Sequence, residues 1–258
     1  MHRALITGGT AGIGAAFATA FAKRGVPLVL VARDSSRLEE FAAQLRAEHG
    51  VEVETMVADL VDRDAQQRVA DRLAADADPV DVLVNNAGFS VRASLLEEDL
   101  AEHDRGFEVM VRAVLKLGGA AGRAMSARGR GWIINVGSVN ALITQNNYSA
   151  IKAWVGNYSE SLGVQLAGTG VTVTALMPGW VHTEFHSRAG IKGSSIPDFL
   201  WLDADRLVEE CLADVARGKP VSIPSTRWKL IAAVLRSTPR GLVARLSALL
   251  SHRRNRER

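Results

Sequence analysis

At 258 residues the chain can bury one good-sized core, and its single cysteine, Cys211, excludes an internal disulfide and a cysteine-rich zinc site. No apolar run approaches the ~18 residues of a membrane span. Residues 4–7 already read as a strand, so the expectation is a protein of the reducing cytoplasm without a signal peptide. The net charge of +3 is uneven: residues 225–258 hold nine Arg or Lys against one acid, whereas residues 1–224 carry 22 bases against 27 acids.

Ala4–Thr7 reads as a short buried strand, and the glycine-rich turn over 7–14 opens a helix ending near Arg24 and Gly25. Val26–Ala32 is apolar almost throughout, as a strand buried on both faces should be. Ser35-Ser36-Arg37-Leu38-Glu39 starts the next helix with a serine capping signal and an acid three residues on. Val51–Val57 and Val82–Asn85 read as strands three and four around a polar helix at 62–76. A long helix is expected over 104–128, then strand five at Trp132–Val136. The helix holding Tyr148 runs to about Ala167, and Val171–Leu176 is strand six. Strands alternating with helices and joined by right-handed crossovers predict one α/β domain, a doubly wound Rossmann-type parallel sheet covered on both faces. Cys211, beside Glu209 and Glu210, reads as a structural helix residue whose neighbours raise its pKa.

Tyr148 and Lys152 stand at i, i+4 and share one helix face. A tyrosine titrates near ~10 in water. An ammonium one turn away favours the phenolate and suits the pair to general acid–base work. Ser138 adds a hydroxyl that can hydrogen-bond a substrate oxygen. At the start of the chain, Thr7, Gly8, Thr10, Gly12, Ile13 and Gly14 form a turn whose glycines let the backbone approach a pyrophosphate at a helix amino end.

Taken in order, Thr7-Gly8-x-x-x-Gly12-x-Gly14, Asp59-Leu60, Asn85-Asn86-Ala87-Gly88, Ile134 to Ser138, Tyr148-x-x-x-Lys152 and Pro178-Gly179 with Thr183 resemble the short-chain dehydrogenase/reductase family in its single-domain form. The match covers roughly residues 3–224. The resemblance implies Ser138, Tyr148 and Lys152 as catalytic residues, with Lys152 also binding the nicotinamide ribose. It implies that Asp59 and Leu60 border the adenine and that Asn86, Ala87 and Gly88 pass beside the cofactor. Pro178, Gly179, Val181 and Thr183 would flank the nicotinamide carboxamide. Where NAD-dependent relatives carry an acid after strand two, this chain has Ala32, followed by Arg33 and Arg37, which suit a 2′-phosphate and point to NADP(H). The family pattern also implies a homodimer or homotetramer through the helices at 104–128 and 148–167.

One departure stands out. The family's asparagine in the long helix, whose carbonyl holds a relay water for the lysine, aligns with Met110, and no asparagine occurs between Asn86 and Asn135. A straighter helix and a modified proton relay are expected there. This keeps open a nucleotide-binding sensor that lost efficient turnover.

Substrate candidates are Phe89, Ser90, Asn140 among Val139 to Ile143, Trp180 and Phe185, with an apolar lid over 180–201. They point to a lipophilic ketone or secondary alcohol, or else simply pack the lid. His182 and His186 are spaced like a metal pair, but the proposed chemistry needs no metal. Residues 225–258 form a basic extension with apolar stripes at Trp228, Ile231, Leu235 and at Leu242, Val243, Leu246, Leu249, Leu250. Packing on protein and contact with an anionic membrane both fit it. No nucleic-acid recognition motif is present.

Overall fold

The computed structural model describes residues 3–182, 197–239, 241–245 and 247. The strands are β1 (Ala4–Thr7), β2 (Leu28–Ala32), β3 (Val53–Val57), β4 (Val82–Asn85), β5 (Gly131–Val136), β6 (Val171–Leu176), β7 (Trp180–Val181), β8 (Trp201–Leu202) and β9 (Val221–Ser222). Seven of them form one parallel sheet in the order β3-β2-β1-β4-β5-β6-β9, while β7 and β8 make a separate parallel pair. The chain winds outward from β1 to β3, returns to β4 on the other side of β1, and winds out again. That reversal leaves a crevice at the carboxyl ends of β1 and β4.

The helices are α1 (Gly12–Ala22), α2 (Ser35–His49), α3 (Arg63–Ala74), α4 (Ala101–Phe107), α5 (Ala113–Ala127), α6 (Asn147–Gln165), α7 (Ala204–Ala216) and α8 (Thr226–Ser237). Side chains alternate across each strand, and this divides the core into two layers. Ile6, Leu28, Leu30, Val82, Val84, Ile134 and Val136 face the layer closed by α1, α2, α7 and α8. Leu5, Val29, Val31, Leu83 and Ile133 face the opposite layer with α3, α5 and the start of α6.

Several local expectations need correction. β2 starts at Leu28, because Val26 N–H instead closes the end of α1 on Phe21 O at 3.1 Å. α2 is capped by Asp34, whose carboxylate accepts Arg37 N–H at 3.1 Å. Its negative charge complements the helix amino end better than a serine hydroxyl. Cys211 is fully buried in the core, and burial pushes its thiol up to about 12, with Asp214, not Glu209 or Glu210, as the carboxylate that adds to the rise.

The largest correction concerns the long helix. It is not straight: a π turn, Glu108–Arg112, separates α4 from α5, and Ala113 N–H donates back to Glu108 O. Gln66 Nε2 reaches the same carbonyl at 3.2 Å, and Arg63 pairs with the Glu108 carboxylate at 2.6 Å. Met110 is buried against two glycines: a Cβ on Gly88 would lie 3.2 Å from its Sδ, and one on Gly106 3.7 Å from its Cε. Methionine's helix propensity therefore did not decide the local geometry, because tertiary contacts outweigh it. A widened turn seats the thioether in that apolar slot.

Candidate active site

The glycine turn sits at the switch point between β1 and β4. Gly8 (φ +64°) and Gly12 (φ +52°) occupy left-handed backbone that disfavours other residues. A Cβ on Gly14 would collide with the Gly8 carbonyl and the Asn86 amide. Asn86 fastens the turn from β4, its Nδ2 donating to Thr7 O at 2.9 Å and Gly8 O at 3.1 Å. Thr7 Oγ1 accepts N–H groups from Asn86 and Ala87, both at 3.0 Å. Thr10 and Ile13 are half-buried within the turn. α1 begins with no side-chain cap on Ala11 and no acid in its first turn, so its free N–H groups remain to meet an anion. This cradle fits a dinucleotide pyrophosphate.

Beyond β2, Arg33 is exposed, its guanidinium 3.9 Å from the Asp59 carboxylate, and Leu60 is buried beside them. Arg37 follows in the first turn of α2. The residues expected around the adenosine thus come together from two strand ends.

Ser138 follows β5 in extended conformation, and its Oγ accepts Asn140 N–H at 3.1 Å. A capping box fixes the amino end of α6: the Asn146 side chain accepts Ser149 N–H, and Ser149 Oγ accepts Asn146 N–H. Tyr148 therefore starts a well-defined helix, with buried Lys152 one turn on. The Lys152 Nζ donates to Val136 O at 2.7 Å and lies 5.6 Å from the Tyr148 ring centroid. Tyr148 is hydrogen-bonded to Ser138. Loss of solvent around the phenol pushes Tyr148 above the ordinary tyrosine range, and the Ser138 bond opposes the rise. The expected depression by Lys152 does not govern the tyrosine, since burial outweighs it. Burial also lowers Lys152 to about 8.

Sequence reasoning missed the polar supports of this cluster. Asn85 Nδ2 donates to Asn135 Oδ1 at 2.9 Å, Asn135 Nδ2 to Ser159 Oγ at 3.0 Å, and Ser159 Oγ to Val155 O at 2.6 Å. This buried chain ties β4 and β5 to α6. Asn147 bonds His103 Nδ1 at 2.9 Å, while His103 Nε2 meets Ser94 O at 3.0 Å. Asn85 and Asn135 stood within the quoted motifs without a role of their own, and Asn147 adjoins Tyr148, which was the available signal. Nothing local announces His103.

On the substrate side, Phe89 and Ser90 are half-buried, with the Arg105 guanidinium 5.5 Å over the Phe89 ring. Trp180 approaches Trp201 at 6.0 Å between centroids, and His182 stacks on Trp201 at 4.6 Å. Val181 is buried in β7 and Pro178 precedes it. Thr183, Phe185, His186, Ile191 and Ile196 lie outside the described residues. Trp228 of α8 packs against Gly179 so closely that a Cβ there would fall within the indole. Of the two readings of the first stripe, Trp228 follows packing on the protein, its indole completing the wall behind Gly179. Among the described residues no cluster of three or more metal-ligating side chains occurs, and no helix is long and apolar enough to cross a membrane.

A doubly wound sheet with this glycine turn and this Ser–Tyr–Lys cluster defines a nucleotide-binding α/β oxidoreductase. A family model described as short chain dehydrogenase matches residues 2–192, and the chain belongs to the short-chain dehydrogenase/reductase family, whose members use nicotinamide cofactors. A solved short-chain dehydrogenase from Sphingobium yanoikuyae in complex with NADPH is 34% identical, covering 92% of this chain and 94% of that one with a TM-score of 0.83. The bulky-bulky ketone specific alcohol dehydrogenase of Comamonas testosteroni is 30% identical over 92% of each chain, with a TM-score of 0.78. Sulfoacetaldehyde reductase 2 of Chromohalobacter salexigens is 34% identical over 216 residues, 82% of this chain and 85% of that protein.

Proposed function

We propose that this protein is an NADP(H)-dependent carbonyl reductase or alcohol dehydrogenase acting on a lipophilic ketone or secondary alcohol. The reading rests on one observation: Tyr148 bonded to Ser138, with the buried Lys152 ammonium one turn away. A bound nicotinamide supplies or accepts the hydride. Tyr148 gives a proton to the substrate oxygen during reduction, and Ser138 holds that oxygen in place. Gly8, Gly12 and Gly14 cradle the pyrophosphate, and Asn86 to Gly88 line its path.

Preference for NADP(H) is supported by Arg33 and Arg37, by Ala32 in place of an acid, and by the NADPH held in the Sphingobium relative. An apolar pocket is supported by Phe89, Trp180 and Trp201 and by the bulky ketones named for the Comamonas enzyme. Residues 1–224 are read as the catalytic domain of a cytoplasmic enzyme and 225–258 as its basic extension. Phe107, Leu115 and Val164 are exposed on α4, α5 and α6, consistent with a homodimer or homotetramer. Sedimentation showing only monomer at micromolar concentration would sink that assignment.

A sensor without turnover was motivated by Met110; the π turn overturns only the straighter helix expected with it, and the intact Ser138, Tyr148 and Lys152 support turnover. The deciding experiment is a panel of bulky ketones with NADPH and with NADH. Turnover lost in Tyr148→Phe supports the enzyme. Tight NADPH binding with no turnover of any ketone or alcohol by the wild type would make it a sensor.

A further inference from the structure

α8 has two apolar stripes. The inner one, Trp228 and Ala232, is buried against the domain, and Trp228 Nε1–H donates to Leu200 O at 3.0 Å. The outer one, Leu230 and Val234 at i, i+4, is 65% exposed at both positions. Arg227 stands on the same outer side, and its guanidinium donates to Phe199 O, which brings exposed Phe199 alongside. Lys229 and Arg236 lie together on one flank of α8, Lys229 close enough to Asp214 to help hold its carboxyl down, and Leu242 and Arg245 are exposed beyond Pro239. No Asp or Glu occurs between Asp214 and Glu257. Glu210 is engaged by Ser225 N–H.

We propose that this outer face of α8, with Phe199 beside it, rests on an anionic lipid surface. Protein interfaces are depleted of charge at their centre and occupy about 800 Å² on each partner. Here Arg227 shares the side of a narrow apolar ridge, and Lys229 and Arg236 stand on one flank of it. Long basic side chains can lay their stems along such a ridge while their heads meet lipid phosphates, the pattern of interfacial helices. Arg227 holds the Phe199 carbonyl, so exposed Phe199 adds to the same apolar face. The inference stands apart from the proposed reaction, because binding is read without turnover.

The test is sedimentation of the full chain with vesicles of phosphatidylcholine alone or mixed with phosphatidylglycerol. Binding should require the anionic lipid and fade at ~0.5 M salt. Lys229→Ala and Arg236→Ala should each weaken it about fivefold. Leu230→Gln with Val234→Gln should weaken it by about tenfold or more while cooperative melting stays intact. Failure of the wild type to bind at low salt, equal binding to both vesicles, or full binding by the variants would each overturn the proposal. Loss of self-association in the Leu230→Gln, Val234→Gln variant, with no vesicle binding by the wild type, assigns the face to a second copy instead.

Discussion

Gln66 on α3 and Glu108 at the head of the π turn meet at 3.2 Å, amide Nε2 to backbone carbonyl, although 42 positions separate them. The same amide donates to Leu60 O at 2.9 Å, so one side chain joins the segment after β3 to the helix that covers the site. Replacing it with leucine leaves two buried carbonyls without that partner. Gln66→Leu should lower stability by about 1–3 kcal/mol, read as a fall in the urea midpoint at unchanged slope. NADPH affinity should fall as well, because the relaxed turn no longer seats Met110 beneath Gly88.

Met110→Asn tests whether the family's amide is needed where the turn already exists. The side chain is 1% exposed and touches the glycines of two segments. An amide in that slot loses thioether packing and desolvates polar atoms, at a cost of about 1–3 kcal/mol. Because the π turn forms without it, kcat should not rise. A clear gain in kcat would show that the amide itself, and not the backbone geometry, carries the proton relay.

Arg33→Ala should weaken NADPH binding about ten- to a hundredfold, equivalent to ~1.5–3 kcal/mol for a charge-assisted phosphate contact, and leave NADH nearly untouched. The Asp59 partner at 3.9 Å is a weak competitor, since both groups are exposed. Equal losses for both cofactors, measured by fluorescence titration, would remove Arg33 from the phosphate site.

Burial holds Lys152 at about 8, below its ordinary 10.5. Between those values the unfolded chain binds more protons than the native one, so this residue's contribution to stability rises with pH across that window. Its cost is fully present below about 8 and fades as pH climbs to the unfolded value. The excess stability of Lys152→Met over wild type should therefore shrink between pH 8 and 10 by up to about 3 kcal/mol. A gap that stays constant over that range, followed by urea unfolding, would mean that the native lysine is not depressed.

The sheet was legible because strands buried on both faces, such as Val82–Asn85 and Val171–Leu176, are short apolar runs between turn residues. Ser138, Tyr148 and Lys152 were legible because their chemistry depends on local spacing. The π turn was not, since Gln66 and Gly88 act on it from two distant segments. His103 was hidden for the same reason: its partners, Ser94 O and Asn147, are nine and 44 positions away. Asp34 took the cap from the serines that follow it, a distinction that depends on which side chain the backbone turns toward the helix end. Trp228 was read in the stripe of an extension, whereas its position is set by Gly179, far upstream.

Trp228 and Gly179 supply the last prediction. Trp228 is 5% exposed, and its indole occupies the space that any side chain at 179 would need. Gly179→Ala should therefore be strongly destabilising through overpacking, by about 1–3 kcal/mol. It should also raise the cofactor dissociation constant, because the Pro178–Gly179 turn must shift. Trp228→Ala should cost about 3–5 kcal/mol through the cavity it leaves. In that background the space above residue 179 is open, so adding the methyl should carry little further penalty. The double variant should thus be more stable than the sum of the single losses, by about the whole Gly179→Ala cost. Thermal or urea unfolding of the four proteins measures this coupling directly. Strict additivity would mean that the indole and the glycine do not constrain one another and that α8 is not part of the cofactor-side wall.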